Sequence, residues 1–549
     1  MNSKQRGVLI AAIVLLGVGE GAWTIHSVYA QIGHQEELLM ARRPTPPPLP
    51  AAREFTRDEG YAFLAAAKKA EAIADPLQRC LAYPDPPDSH WSRDAVAAYC
   101  HYRMQPLLTF AQAQSLIQQG RSAELDRRLA AALHAQQTQP DSRGLLDRIY
   151  QEAFRNGSFD IRPTLDAWKR DSPHSAFALA ASGMAYVAMA GEARGAGYMK
   201  DTPQDSVDAM HKLLAQADGD LRQAIALNPR LTPAYIALIN AGGLGFGRAY
   251  TDKAIRSALA VAPYDYAIRS VAMWTLEPKW GGSLGAMDRF AAQAQAYTRT
   301  NPLMRLMLSE RPYYQVDNCD CTQDAELAAF PAALDQLASI TYLENAGLAA
   351  DGNRNMAVPG VYLSEALRFG SESDDVRTHR VSALVDFDEA AWAVADMSRL
   401  LAVSPHQADA LRARAYAYEM QADYAHAEQD FRALLAIDPS DTHVLPQLGD
   451  MFVNLAHDWN KGWAVADQLI REQPQNPYGW MLRATIQEQQ PRPGLDATAD
   501  HLQAQFGKDP QIAKVIVRLR AAVALRKHTG IDARASARAL SRAPGHGGS

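Results

Sequence analysis

The 549-residue chain has little net charge, few cysteines and few strand patterns. Its 55 Lys and Arg against 61 Asp and Glu leave a net charge of −6, which excludes a nucleic-acid binder that relies on overall basic charge. Charged residues at 21% and apolar residues at 48% are typical of a folded chain, not a disordered one. Runs that alternate apolar and polar residues are scarce, so we predict an all-α protein, and its length predicts several domains or a repeat array.

Enzyme signatures are also scarce. Residues 281–285 match the nucleophile pattern G-x-S-x-G around Ser283, but Pro278 and Trp280 precede it where that motif requires a strand. We interpret Ser283 as a helix cap. Residues 242–247 are rich in glycine but lack the Lys-Ser/Thr of a phosphate-binding loop, and we expect them to join two helices. The sequence therefore predicts no enzyme and no cofactor.

The first thirty residues contain a membrane-targeting pattern. Lys4 and Arg6 precede an apolar run over 7–19, whose length fits the core of a signal peptide. An uncleaved anchor that extends to Ala30 is the rival interpretation, and the proline-rich segment after it suits a stiff spacer on an anchored chain. We predict a single-pass inner-membrane protein with its bulk in the periplasm, or a periplasmic protein released after cleavage.

Four cysteines form two local pairs. A bridge between Cys80 and Cys100 would close a loop of about twenty residues and add about 3 kcal/mol of stability, whereas Cys319 and Cys321 can close only a small ring. Two structural bridges, or one bridge and a free pair, are expected of an exported chain. A redox dithiol at the second pair lacks the usual CxxC spacing. A metal site, whose spacing matches no zinc pattern, would use Cys80, His90, Cys100 and His101.

Proline residues recur with a regular spacing in the C-terminal third. Successive intervals of 34, 35 and 36 residues separate Pro405, Pro439, Pro474 and Pro510. An interval of 34 residues also separates Pro229 from Pro263. A period of about 34 residues is that of the tetratricopeptide helix-turn-helix unit.

Small and large residues within one period fit the same unit. The predicted core positions of the repeat are Leu411, Ala415, Tyr418, Ala427, Phe431 and Pro439. On these positions residues 371–510 resemble the tetratricopeptide-repeat superfamily. The resemblance implies a solenoid of helical hairpins whose curved groove binds extended peptides or partner helices.

The middle of the chain has its own signature. It combines Trp168 and the residues to Pro173, a helix of small residues over 175–190, and the stretch 276–283. Residues 151–310 thereby resemble an uncharacterised bacterial domain-of-unknown-function family of exported or membrane-anchored proteins. That resemblance implies a location and no activity.

Breaks in this middle segment hold five candidate residues, Arg194, Gly195, Trp280, Gly281 and Gly282. A functional interpretation makes the arginine and the tryptophan a clamp, with the guanidinium on a carboxylate and the indole stacked on a ligand. The alternative is that both anchor an irregular insertion, which needs such contacts to satisfy its backbone.

These observations divide the chain into seven segments. They are a signal anchor or signal peptide (1–30), a tether (31–50), an N-terminal helical region (51–150), the middle domain (151–310), a linking helical region with the Cys319/Cys321 loop (311–370), the repeats with a capping helix (371–525) and a disordered basic tail (526–549). We predict a membrane-tethered helical-repeat protein that mediates protein–protein interaction in the bacterial envelope. Its partner is a protein or peptide and not nucleic acid. The alternatives are an envelope hydrolase or other enzyme, with a pocket at 190–290 near Asp201 and His211, and a self-assembling scaffold.

Overall fold

The computed structural model describes residues 49, 53–197, 199–352, 354–490 and 492–529. The predicted targeting segment, nearly all of the tether and residues 530–549 of the predicted tail lie outside the described residues. Within the described ranges every regular element is helical and no strand occurs, so the predicted all-α class is confirmed.

Twelve helices form the N-terminal half of the described chain. They are α1 (Arg57–Glu71), α2 (Pro76–Ala82), α3 (Arg93–Met104), α4 (Phe110–Gln118), α5 (Ser122–Thr138), α6 (Leu145–Ala153), α7 (Arg162–Asp171), α8 (Ala176–Arg194), α9 (Gln204–Leu227), α10 (Thr232–Ala241), α11 (Arg248–Val261) and α12 (Tyr266–Trp274). Polar caps start many of them: the Thr56 hydroxyl accepts the Glu59 amide while the Glu59 carboxylate accepts the Thr56 amide.

Fourteen helices form the C-terminal half of the same described ranges. They are α13 (Leu284–Gln295), α14 (Met307–Asp317), α15 (Gln323–Ala333), α16 (Ile340–Ala349), α17 (Ala357–Arg368), α18 (Asp374–Asp386), α19 (Ala390–Val403), α20 (Ala408–Met420), α21 (Tyr424–Ile437), α22 (Val444–Asp450), α23 (Trp459–Glu472), α24 (Tyr478–Gln489), α25 (Leu495–Phe506) and α26 (Pro510–Thr529). Single 3₁₀ turns occur at Pro140–Ser142, Phe159–Ile161, Met199–Asp201, Pro278–Trp280 and Pro302–Leu306, and π turns at Gly242–Phe246 and Met451–Leu455.

The spaced prolines mark the ends of helical hairpins. Pro405, Pro439 and Pro474 each lie two residues beyond the end of α19, α21 or α23, and Pro510 begins α26. Between them the chain forms the hairpins α18/α19, α20/α21, α22/α23 and α24/α25, each packed on the next. The spacing therefore predicted the helix boundaries because proline cannot continue a helix that precedes it.

The predicted core positions of one hairpin are mostly buried. Ala415 and Ala427 are fully buried, Leu411 and Phe431 are nearly so, and the Tyr418 ring stacks on His426 across the hairpin. Pro439 differs from this prediction: it is exposed, because it lies in the turn after α21 and not on a packed helix face.

Three cores divide the described chain at positions other than the predicted boundaries. The first joins residues 55–100 to residues 266–486, the second spans residues 113–268, and a small third one spans residues 484–523. The helices α4 to α6 thus share a core with α7 to α12, although the predicted boundary falls at residue 150. Which helices share a core depends on contacts between segments that are far apart in the chain. No local pattern in the sequence indicates those contacts.

A buried arginine fixes the N-terminal helices to the C-terminal hairpins. Arg380 on α18 has no exposed side-chain surface; its Nη1 lies 2.6 Å from Glu71 Oε1 on α1, and its Nη2 bonds Asp396 on α19. The Trp392 indole covers the guanidinium and donates to Glu71 at 3.2 Å. Burial raises the pKa of Asp396, but Arg380 outweighs that effect and holds this pKa below its ordinary value.

A pair of buried carboxyls links the helices of the second core. Asp147 on α6 accepts from Gln136 at 2.7 Å and from Thr232 at 2.5 Å, while Asp265 caps α12 by accepting the Ile268 amide at 2.9 Å. Burial raises the pKa of both carboxyls, and for Asp147 the neighbouring Asp265 adds to the rise. We infer that the pair keeps a proton in the folded protein.

Among the described helices, α8 has the length and composition that a membrane span needs. Inside this fold, however, 67% of its most apolar window is buried. Gly183 on this helix lies so close to α9 that a methyl group there would meet Leu221 at 2.5 Å. The helix is therefore apolar on all sides because other helices surround it.

The end of the chain differs from the predicted tail boundary. Residues 526–529 form the last turn of α26 and are not part of an irregular tail. Arg526 is nearly buried, and its guanidinium donates to the carbonyl oxygens of Gln487, Glu488 and Gln490 at the end of α24. These bonds satisfy carbonyls that the end of a helix leaves without partners, so they hold the last turn in place.

Candidate functional site

A groove with a volume of about 670 Å³ crosses the first helices of four successive hairpins. We call it the hairpin groove. Its lining residues are Asp351, Asp375, Thr378, His379, Val381, Ser382, Asp409, Arg412, Ala413, Tyr416, Glu419, Phe431, His443, Pro446, Gln447, Asp450, Leu455 and Tyr478. Apart from Asp351 and Phe431, they belong to α18, α20, α22, α24 and the turns beside α22.

The repeat period brings equivalent positions into the groove. Asp375 and Asp409 occupy the same place in two hairpins, 34 residues apart, and Tyr416 and Asp450 share another such place. On α20 the lining residues recur three or four positions apart and so form one face of the helix. Leu411 and Ala415 lie on the buried face.

Several charged side chains of the groove form hydrogen bonds or ion pairs with neighbouring residues. Arg412 donates to Asp441 at 2.9 Å and to Gln447 at 3.0 Å, and His379 Nδ1 lies 2.6 Å from an oxygen of Asp351. Hydrogen bonds from backbone and from Arg412 lower the pKa of Asp441. These pairs leave Arg412 and His379 already bonded to acceptors of the protein itself.

Three other carboxylates in the groove have no bonding partner among the described residues, and we call them uncommitted. The side chains of Asp375, Asp409 and Glu419 form no hydrogen bond or ion pair within the described ranges. Asp450 accepts the Tyr478 hydroxyl at 2.8 Å and the Asn454 amide at 2.6 Å, both neutral donors. The groove therefore has an excess of negative charge that no cation of the described chain compensates.

Glu419 has the most unusual environment of the three. It is half-buried near the end of α20, where burial and then the Asp450 carboxylate raise its pKa to about 7. At neutral pH the carboxyl is therefore about half ionised. A cation placed beside it would favour the ionised form and would replace the water that burial removes.

Aromatic and apolar groups complete the lining. The Tyr416 ring is 39% exposed, and Tyr478 lies across the groove with its hydroxyl on Asp450. Ala413 and Phe431 are apolar residues of the lining. In a bound polypeptide, the charged ends of basic side chains would pair with the carboxylates, and their aliphatic parts would pack on the tyrosine rings.

Of the groove residues, only Phe431 was singled out from the sequence, and it was predicted as a core position. The other apolar positions that the sequence marks in the repeat face the core, and the polar lining residues lie on the opposite face of the same helices. A polar stripe at 409, 412, 416 and 419 was the available signal. Such a stripe is also what any solvent-exposed helix face shows, so it identifies a groove only once the helices are assembled.

The five candidate residues of the middle segment do not form one site. Arg194 ends α8 and donates to the Gly197 carbonyl at 3.2 Å, whereas the Trp280 indole contacts Trp274 with ring centroids 4.9 Å apart. In the described part of the chain no hydrogen bond, ion pair or ring contact joins Arg194 to Trp280. Gly195 caps α8 with a positive φ of 78°. These contacts fit anchors of an irregular segment.

Gly281 and Gly282 close the turn before α13. Gly281 has a φ of 89°, and a methyl group on Gly282 would lie 1.8 Å from the Leu276 carbonyl oxygen. Only glycine fits there. Ser283 accepts the Ala286 amide at 3.2 Å and caps α13, as predicted, and residues 242–247 join α10 to α11.

The residues of the enzyme alternative lie apart. Asp201, His211 and Trp280 are exposed, and neither they nor Arg194 line the hairpin groove or four other cavities of the described ranges. An enzyme with a pocket at 190–290 stays a prediction.

Both local cysteine pairs are bridged, Cys80 to Cys100 and Cys319 to Cys321. The first bridge closes a loop that Arg368 holds from α17, through the Cys80 carbonyl at 2.9 Å and Asp85 at 2.8 Å. Because Cys80 and Cys100 are bonded to each other, they cannot serve the metal site considered with His90 and His101. Among the described residues no group of three or more metal-binding side chains comes together.

Comparisons with known proteins do not assign a family. No family model matches the chain, and no curated protein is similar to it at a significant level.

Proposed function

We propose that this chain is an exported, membrane-tethered helical-repeat protein that docks a basic polypeptide segment of an envelope partner in its hairpin groove. The observation that carries the proposal is the row of uncommitted carboxylates, Asp375, Asp409 and Glu419, which the repeat period presents to one cavity beside two tyrosines. A groove of this composition favours a cationic, extended ligand.

The arrangement of the hairpins supports a docking role. Four consecutive hairpins of 34 to 36 residues offer the same helix face to the groove, as a tetratricopeptide-like solenoid would. Such a surface accommodates a chain segment that contacts several hairpins at once, and each contact adds a small contribution. The proposed tether and export rest on the basic and apolar pattern of the first thirty residues and on the proline-rich stretch after it.

The charges of the groove favour one class of ligand. An anionic segment would meet the unpaired carboxylates, and Arg412 is already bonded to Asp441 and Gln447. A basic segment would pair with Glu419, whose partial burial makes the interaction stronger than an exposed ion pair. Electrostatic complementarity of this kind sets specificity and association rate more than total affinity.

Fluorescence anisotropy on the detergent-solubilised full chain tests the proposal. The probes are a labelled peptide of alternating alanine and arginine and its counterpart with glutamate. We expect binding of the arginine peptide only, and Glu419→Gln should weaken it about tenfold because it removes a half-buried charge-assisted contact. The matched control is Glu472→Gln, an exposed carboxylate on α23 outside the groove, which should leave binding unchanged.

Two results would contradict the proposal. One is equal binding of the arginine and glutamate peptides, and the other is an equal loss in the Glu419 and Glu472 variants. Equal binding of the two peptides would show that charge does not select the ligand, and equal losses in the two variants would show that the arginine peptide follows the overall negative charge of the protein and not the groove.

A further inference from the structure

We infer that the arginines of residues 530–549 occupy the hairpin groove when no partner is bound, so that the chain carries its own competitor. The inference rests on the proposed function, since it needs a groove that accepts basic segments. It concerns a different property, the regulation of that groove by a segment of the same chain.

The point at which the chain leaves the described fold is the first support. Arg526 bonds the carbonyls at the end of α24, so the chain leaves α26 at Thr529 beside that end. The other end of α24 carries Tyr478, which lines the groove. A helix of 12 residues is about 18 Å long, so the groove begins about one helix length away.

The length of the segment is sufficient to reach across the groove. Arg534 lies five residues beyond Thr529, and Arg542 lies thirteen beyond it. At about 3.3 Å per extended residue these arginines can reach about 17 Å and about 43 Å from the end of α26. The first distance is comparable with the length of α24 that separates the end of α26 from Tyr478, and the second suffices to pass along several hairpins, whose packed helix axes lie about 10 Å apart.

The charges of the segment complement those of the groove. Residues 530–549 contain Arg534, Arg538 and Arg542 and one acid, Asp532. The groove presents the uncommitted carboxylates of Asp375, Asp409 and Glu419. The arginines recur every four residues, and four extended residues span about 13 Å, which is comparable with the distance between neighbouring helices of the groove.

Attachment makes even a weak intramolecular contact effective. Attachment to the same chain gives the segment an effective concentration on the order of 1 mM at the groove. If the segment alone bound with a Kd of about 0.1 mM, it would raise the apparent Kd of an external ligand about tenfold. A partner with a longer basic segment would displace it, and the groove would thereby discriminate against weak basic ligands.

The test uses a labelled synthetic peptide with the sequence of residues 530–549, added to the full chain. A variant with Arg534→Ala, Arg538→Ala and Arg542→Ala should bind this peptide about tenfold more tightly than the unaltered chain, because its own competitor is lost. Adding Glu419→Gln to that variant should abolish most of the gain. The control carries Ser536→Ala and Ser541→Ala, which leave the charge of the segment unchanged.

The outcomes separate the two proposals. If the peptide binds both chains equally and in a Glu419-dependent manner, the groove accepts basic segments and the inference of a resident competitor is wrong. If no variant binds the peptide, the inference fails; binding of the alternating arginine peptide in the earlier assay then decides whether the proposed function survives.

A photo-crosslinking probe in place of Tyr416 gives a second readout. Irradiation of dilute protein should join residue 416 to residues 530–549 within one chain, and a probe in place of Glu472 should not. Crosslinks between two chains would assign the groove to a second copy, and crosslinks to the proline-rich residues 31–50 would assign it to the tether. Both results would overturn the inference.

Discussion

The helices of the second core and the C-terminal hairpins use their surfaces in opposite ways. On α8, at the centre of the second core, 12 of 19 residues are buried, so almost every face is in contact with another helix. On α20, in the hairpins, only 4 of 13 are buried, and a polar face with Tyr416 and Glu419 stays open to the groove. The comparison shows that one helical architecture yields a closed unit or an open polar groove, depending on how many faces of each helix its neighbours cover.

The largest expected difference comes from one aromatic residue in each region. Trp168 is fully buried in the second core, packs on Phe154 and donates to Asp126 at 3.1 Å. We expect Trp168→Ala to lower the free energy of unfolding by about 3–5 kcal/mol, because it leaves a large cavity. Tyr416→Ala, in the groove, should cost about 1 kcal/mol or less yet weaken peptide binding. Urea unfolding and anisotropy measure the two effects; similar losses of stability in both variants would contradict the comparison.

A smaller but still large effect is expected where the hairpins meet the N-terminal helices. Arg380→Met removes the charge that Glu71 and Asp396 share, and it should destabilise the fold by about 3 kcal/mol because the buried Asp396 and the partly buried Glu71 lose this cation. Arg399 also bonds Asp396, but its side chain is exposed, so Arg399→Met should cost about 0.5 kcal/mol. Thermal unfolding of both variants measures the difference. Equal costs would mean that Arg380 is not the connection between the two parts of the chain.

The second core should also respond to pH. The folded state keeps a proton on the Asp147–Asp265 pair that the unfolded chain loses above about pH 4. The free energy of unfolding should therefore fall as pH rises from about 4 towards the raised pKa of the pair, by about 1.4 kcal/mol for each pH unit. Asp147→Asn should flatten this dependence. Denaturant titrations from pH 4 to 8, with Glu472→Gln as a control, test this; an unchanged slope in the Asp147 variant would refute the shared proton.

Peptide affinity in the groove should change with pH in the opposite direction, increasing as pH rises. The proposed cationic ligand should bind the ionised form of Glu419, whose pKa burial and Asp450 raise to about 7. Affinity for the arginine peptide should therefore increase about tenfold from pH 6 to pH 8. Glu419→Gln should remove this increase and leave a nearly constant, weaker affinity. A pH dependence that persists in the variant would assign the titration to another group, such as His379 or His443 in the lining.

Much of the helical framework could be predicted from the sequence. The spacing of Pro405, Pro439 and Pro474 marks helix ends directly, and the small residues at 415 and 427 mark close contacts within a hairpin. The attachment of α1 to α18 could not be predicted, because Arg380 and Glu71 lie 309 residues apart and nothing in the sequence around either residue indicates that they pair. The division of the chain into cores was unpredictable for the same reason.

The groove could be predicted in outline only. A repeat of this period implies a binding surface, but the chemistry of that surface depends on which polar residues stay without partners. Glu419 looks like an ordinary helix-surface residue in the sequence, and its raised pKa follows from burial and from Asp450 on the next hairpin. By contrast, Trp280 and Arg194 attract notice in the sequence because glycines flank them, and the structure gives them local contacts within their own segments.

A reversal of charge in the groove tests the central claim most directly. Asp409→Arg combined with Glu419→Arg would replace two of the three uncommitted carboxylates by cations while leaving the buried face of α20 intact. The account predicts that the doubly altered full chain loses the arginine peptide and gains the glutamate peptide in the same anisotropy assay. A variant that folds as the unaltered chain does, by circular dichroism, and still prefers the arginine peptide would contradict it.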